Sequence, residues 1–166
     1  MALGRIYASG LGVPVDERRA FEYFHRAAHL GSDNGIREVG NAYAVGFGVP
    51  QSAAVALDWF RRAAELGDPE AMLSLYDSYA KGSGVTTDKD TAISWLRKAA
   101  DRGNANANYR LGLAYLTGTD VGKDRVAAKR HFEVASAKNF APAELALKTM
   151  LGPASPSVAV VNEQDE

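Results

Sequence analysis

Apolar and polar positions alternate along this chain with a helical period, and the helices they predict recur in turn. In "GIREVGNAYAVG" (35–46), Val39, Gly40 and Tyr43 fall three or four residues apart and share one helical face. In "SAAVALDWFRRAAELG" (52–67), Ala56, Trp59 or Phe60, Ala63 and Ala64 do the same. The pattern predicts a unit of two helices, A and then B. Alanines let the pair approach closely, and aromatic and leucine side chains fill the space between them.

The unit returns every 36 residues. Gly10, Gly46, Gly82 and Gly118 keep that step, as do Tyr7, Tyr43, Tyr79 and Tyr115. So do Ala20, Ala56, Ala92 and Ala128, and Ala27, Ala63, Ala99 and Ala135. An aromatic position runs Tyr23, Trp59, Trp95 and then His131; its neighbour runs Phe24, Phe60, Leu96 and Phe132. A series this regular marks a tandem array. The expected fold class is all-α: an alpha-alpha superhelix of four 36-residue helix-turn-helix repeats plus a C-terminal half repeat. The repeats are read at about 1–34, 35–70, 71–106 and 107–142, with the half repeat at 143–151.

The glycine-rich loops "GLGVPVD" (10–16), "GFGVPQS" (46–52), "GSGVTTD" (82–88) and "GTDVGKD" (118–124) admit two readings. A phosphate cradle would follow a strand and leave a helix N-terminus open to an anion. Here a helix is expected before each loop, and Asp16, Ser52, Asp88 and Asp124 stand where helix B should start. All four are N-cap types, and a carboxylate there repels phosphate. The first glycine of each loop falls where helix A should end in a left-handed cap. Helix B is expected to end likewise at Gly31, Gly67, Gly103 and Asn139. The loops are therefore read as backbone punctuation.

Composition narrows the function without naming it. The chain has 166 residues, a formal net charge of −1 and no cysteine. That balance offers no global attraction to nucleic acid or to an anionic membrane, and no thiolate metal site or disulfide is available. No run approaches the ~18 apolar residues of a membrane span, and no signal-peptide layout opens the segment. Bacterial periplasm and cytoplasm both stay open as compartments. Aligned on the period, Met1 falls inside helix A past its first turn, which predicts either a natural clipped repeat or, as the favoured reading, a chain cut from a longer array. "GPASPSVAVVNEQDE" (152–166) is punctuated by Pro and Ser and ends acidic, and it is expected to be a disordered tail.

"LGRIYASGLGVPVDERRAFEYFHRAAHLG" (3–31) and "AMLSLYDSYAKGSGVTTDKDTAISWLRKAADRG" (71–103) resemble the Sel-one-like repeat family, a relative of the tetratricopeptide repeats. The resemblance covers roughly 1–151. It implies a right-handed superhelix of antiparallel helix pairs, acting as a protein-interaction scaffold and not as an enzyme. Tyr76 departs from it, standing where Gly4, Gly40 and Gly112 are found. A tyrosine there should push the helices apart or turn its ring to the rim. The fourth repeat is the most divergent, with Asp120, Gly122 and His131 in altered places.

His25 and His29 stand one helical turn apart, as two metal ligands would. Arg26 replaces the glutamate of a zinc-protease motif, no third ligand is in sight, and Arg61, Arg97, Glu65 and Asp101 at the equivalent places mark the positions as solvent-facing. His131 is read as a half-buried packing substitute. No catalytic constellation, cofactor or metal is expected. The resemblance places helix A on the concave side, so its free positions should form a groove. One row is Met1, Arg37, Leu73 and Tyr109; the next is Arg5, Asn41, Asp77 and Leu113; a third is Ser9, Val45, Lys81 and Thr117. From these, Arg5, Arg37, Asn41, Leu73, Asp77, Lys81, Tyr109 and Leu113 are the candidate partner-binding residues, because exposed Tyr and Leu beside Arg are typical of hot spots. Alternatively Leu73 and Tyr109 merely touch the adjacent repeat. The expected role is a non-catalytic scaffold holding another protein or peptide, with a multi-protein complex as an expected setting. Alternatives are an exported bacterial scaffold in envelope or exopolysaccharide secretion machinery, or the regulatory repeat segment of a larger enzyme.

Overall fold

In the computed structural model, residues 1–151 are described; the expected disordered tail lies outside them. Among the described residues the chain is helical, without a strand. The elements are α1 (Ala2–Ser9), α2 (Glu17–His29), α3 (Asp33–Val45), α4 (Ala53–Glu65), α5 (Pro69–Lys81), α6 (Lys89–Asp101), α7 (Ala105–Thr117), α8 (Arg125–Ser136) and α9 (Ala141–Leu151). Each helix packs chiefly on its neighbours in sequence, which gives a solenoid of hairpins. Helices α1, α3, α5 and α7 are A helices, α2, α4, α6 and α8 are B helices, and α9 takes the next A place.

Caps fix the helix limits. Asp16, Ser52, Asp88 and Asp124 are extended and accept N–H groups of the first turn of helix B. Helices α3, α5 and α7 are capped the same way by Ser32, Asp68 and Asn104. Gly10, Gly46, Gly82 and Gly118 end the A helices with φ between 71 and 81°. The loop then closes on itself, because the cap residue of helix B donates its backbone N–H to the carbonyl of the repeating tyrosine. These bonds run from Asp16 to Tyr7, Ser52 to Tyr43, Asp88 to Tyr79 and Asp124 to Tyr115, at 2.8–3.0 Å.

Inside a hairpin, a glycine on A meets a phenylalanine on B. A Cβ added at Gly4, Gly40 or Gly112 would lie 2.5, 2.7 or 2.6 Å from the ring of Phe24, Phe60 or Phe132. The third hairpin exchanges these sizes, with Tyr76 for glycine and Leu96 for phenylalanine. The α5–α6 pair stays as closely packed as α7–α8, so Tyr76 does not push it apart. Leu96 is 1% exposed, and the half-buried Tyr76 ring lies beneath the Arg110 guanidinium, 5.6 Å from its centroid.

Hairpins stack through the second loop glycine. Gly48 and Gly84 lie directly against the Glu17 and Ala53 carbonyls in the first turn of the preceding B helix, where no side chain fits. In the fourth loop Asp120 takes the left-handed place at φ 59° and pairs with Lys89 Nζ at 3.1 Å, Lys89 being the counterpart of Glu17 and Ala53. At the far end Lys148 holds the glycine position of α9 and is exposed.

Candidate functional site

Two apolar grooves open between successive A helices. The first lies between α1 and α3, a cavity of about 530 Å³ lined by Phe24, Ala42, Phe47 and Val45 together with Arg5 and Asn41. The second, about 400 Å³, lies between α7 and α9 against Tyr109, Leu113, Leu116, Leu145 and Met150. Between them the surface is polar. Arg37 Nε donates to Asp68 at 2.9 Å, the side chain that also caps α5. Arg110 Nη1 donates to Asp77 at 2.8 Å, with Lys81 Nζ 3.7 Å from the same carboxylate oxygen. Asn104 donates to Glu70 at 2.6 Å. These bonds cross from one A helix to the next and set their register.

The eight candidate residues thus divide. Arg5 and Asn41 line the first groove, and Tyr109 and Leu113 line the second. Asp77 and Lys81 lie on the polar stretch between, and the Lys81 side chain is 72% exposed. Arg37 is taken up by Asp68. Leu73 is only 5% exposed and belongs to the core, so it does not face the groove. Its row lies nearer the hairpin interface, which also explains why Tyr109 packs on Phe132 and Phe140 at 5.8 and 5.5 Å. Arg110 escaped the sequence reading. Its counterparts Ala2, Glu38 and Ser74 share no chemistry, so the repeat gives it no signal.

His29 is exposed as expected, whereas His25 does not face solvent but is half-buried against aromatic rings, and His131 also packs on one. His25 stands among Phe21, His29 and Trp59, with ring centroids 5.6, 4.5 and 5.9 Å away. Burial, with the nearby His29 charge, pushes its pKa down. His131 stacks on Tyr115 at 5.6 Å and bonds Asn108 Oδ1 through Nδ1 at 3.0 Å. Asn108 Nδ2 donates to the carbonyls of Ala100 and Asn104, which leaves Oδ1 as the acceptor. His131 therefore carries its proton on Nδ1. Burial and then the Arg130 charge lower its pKa, partly opposed by Asp101. The chain His131–Asn108–Ala100 links α8, α7 and α6.

The family model for the Sel1 repeat matches residues 1–32, 35–68, 70–104 and 105–140. The chain belongs to the Sel1 repeat family. Among solved structures it is similar to a Sel1 repeat protein from Oxalobacter formigenes, at 33% identity and a TM-score of 0.81, covering 88% of this chain and 60% of that one. It is also similar to c5321, a protective antigen present in uropathogenic Escherichia coli strains that displays an SLR fold. There the identity is 34% and the TM-score 0.76, over 82% of this chain and 29% of that one. Cysteine rich protein B of Helicobacter pylori shares the fold at 22% identity and a TM-score of 0.64, over 80% of this chain and 96% of that one. The chain thus spans less than two thirds of the first two proteins. No curated protein matches it significantly. Sel1 repeat proteins are in general non-enzymatic scaffolds for protein–protein interaction. Among the described residues of this one, no helix is long and apolar enough to cross a membrane.

Proposed function

We propose that this Sel1 array is a scaffold that holds a peptide or a partner's helix along the face of its A helices. The reading rests on the two apolar grooves at either end of that face. Each is bounded by A helices of successive hairpins, and each is large enough for one or two apolar side chains. The Arg37–Asp68 and Asp77–Arg110 bonds brace the face between them, so a partner meets a preformed surface, which limits the ordering cost of binding. Arg5, Asn41, Lys81, Tyr109 and Leu113 are the contact residues; Arg37 and Asp77 act by holding the frame; Leu73 acts only as core.

A displayed library of short peptides, selected on the immobilised chain, tests this reading. Selected peptides should bind Val45→Glu/Leu145→Glu at least tenfold more weakly, because both side chains are largely exposed and each substitution puts a charge into a groove. Far-UV circular dichroism and Tm should stay close to the parent. Peptides that bind the double variant equally well would refute the assignment of this face.

A further inference from the structure

The groove between α7 and α9 differs in chemistry from the rest of the A-helix face. At four places it repeats the first groove three units on: Arg5, Ala8, Glu38 and Ala42 there become Leu113, Leu116, Ala146 and Met150 here. The same places include Ser74 between α3 and α5, and Asp77 and Arg110 between α5 and α7. Of the residues lining the second groove only Arg125 is charged, and its Nη2 donates to the Met150 carbonyl at 2.6 Å. The polar stretch beside the groove has the opposite character. There Arg110 and Lys81 share Asp77, at 2.8 and 3.7 Å, which leaves one positive charge in excess. An apolar slot with a cationic neighbour therefore closes this end of the face.

We propose that this groove is a seat for residues 158–161, Val-Ala-Val-Val, of the same chain, so that an outside partner competes with them. The proposal rests on the reading of the groove as a binding site and names its resident occupant, which lies outside the described residues. Helix α9 runs to Leu151 and Met150 lines the groove, so the segment that follows starts at its mouth. Gly152 and Pro153 come next, a pair that stops a helix and lets the chain reverse. From Gly152 to Ser157 the chain spans about 20 Å at full stretch. Leu145 lies only about 9 Å back along α9, so the four residues that follow can cover it. The first groove begins three A helices away, about 27 Å, beyond that spacer. Glu163, Asp165 and Glu166 then follow, and their charge matches the excess cation at Lys81 and Arg110. Tethering holds so close a segment at about millimolar effective concentration, so a short apolar contact is enough to seat it.

The chain has no cysteine, so one pair of thiols can be introduced cleanly. Leu145→Cys with Val160→Cys puts a thiol in the groove, whereas Lys148→Cys with Val160→Cys puts it at an exposed place on the same helix. The second pair closes a loop three residues shorter, so tethering alone favours it slightly. In a glutathione redox buffer the Leu145 pair should nevertheless form its intramolecular disulfide about fivefold faster or more. The advantage should vanish in denaturing urea. It should also vanish on adding Val158→Asp and Val161→Asp, and survive Val158→Ile. Equal rates, a faster Lys148 pair or an advantage that survives both aspartates would overturn the proposal. So would disulfide-linked dimers, which would give the groove to a second copy. A selected peptide that Leu145→Glu weakens should bind Val158→Asp/Val161→Asp about threefold more tightly or better, and equal affinity would overturn the competition. Equal trapping rates leave the scaffold reading intact, and peptides insensitive to Leu145→Glu leave the trapping rates unchanged, so the two failures are distinct.

Discussion

A single pair of residues sets how closely each hairpin closes: a glycine on helix A under the ring of a phenylalanine on helix B. Gly40→Ala puts a methyl 2.7 Å from Phe60, an overlap that exceeds the gain of up to ~1 kcal/mol from replacing glycine in a helix. The net cost should be about 1–3 kcal/mol, read from urea denaturation. Phe60→Leu should recover part of it, since Leu96 stands opposite Tyr76 in the third hairpin. A double variant whose loss equals the sum of the two single losses would show that the exchange is not compensation. Capping is the other local term. The Asp124 carboxylate accepts from Val126 and Ala127 at 2.9 Å, so Asp124→Ala should cost about 1 kcal/mol in the same assay. The cap was legible in the sequence because it needs only a residue type at one place in the period. The size exchange was not, because which ring faces which glycine depends on how the two helices turn toward each other.

Neighbouring elements are joined by contacts that no single repeat contains. Gly84→Ala introduces a Cβ against the Ala53 carbonyl and also a non-glycine residue at φ +74°, while Gly12→Ala brings only the second cost. Gly12→Ala should therefore lose about 1–2 kcal/mol and Gly84→Ala a further 1–3, compared by thermal or urea unfolding. The α6–α7–α8 connection adds a pH dependence. His131 has a lowered pKa in the folded chain, so below about pH 6.5 the unfolded chain binds the proton first. Its contribution is therefore intact above pH 6.5 and lost as pH falls toward the folded value. His25 is shifted in the same direction. Unfolding midpoints measured from pH 7.5 to 5 should fall for the parent and fall less for His131→Phe, with His25→Asn removing more of the slope. An unchanged slope in His131→Phe would show that Asn108 and Tyr115 accept the imidazolium without strain.

The whole molecule is a stack in which each helix meets mainly its sequence neighbours, so stability is a sum of hairpin and interface terms. Amide exchange should be slowest in α4, α5 and α6, covered on both sides, and fastest in α1 and α9. Equal protection from end to end would mean that the chain opens only as one unit. Period, helix pairs, caps and solenoid class all followed from the sequence, because each depends on residue type at a fixed step along one chain. Of the candidate residues, Arg5, Asn41, Tyr109 and Leu113 line grooves, whereas Leu73 shares the row of Tyr109 and is buried. Tertiary packing alone separated Leu73 from the groove, joined Arg37 to Asp68 and Asp77 to Arg110, and placed the second loop glycine against the hairpin before it. Those outcomes turn on the rotation and spacing of one helix against the next, and periodicity along a single helix carries no record of either.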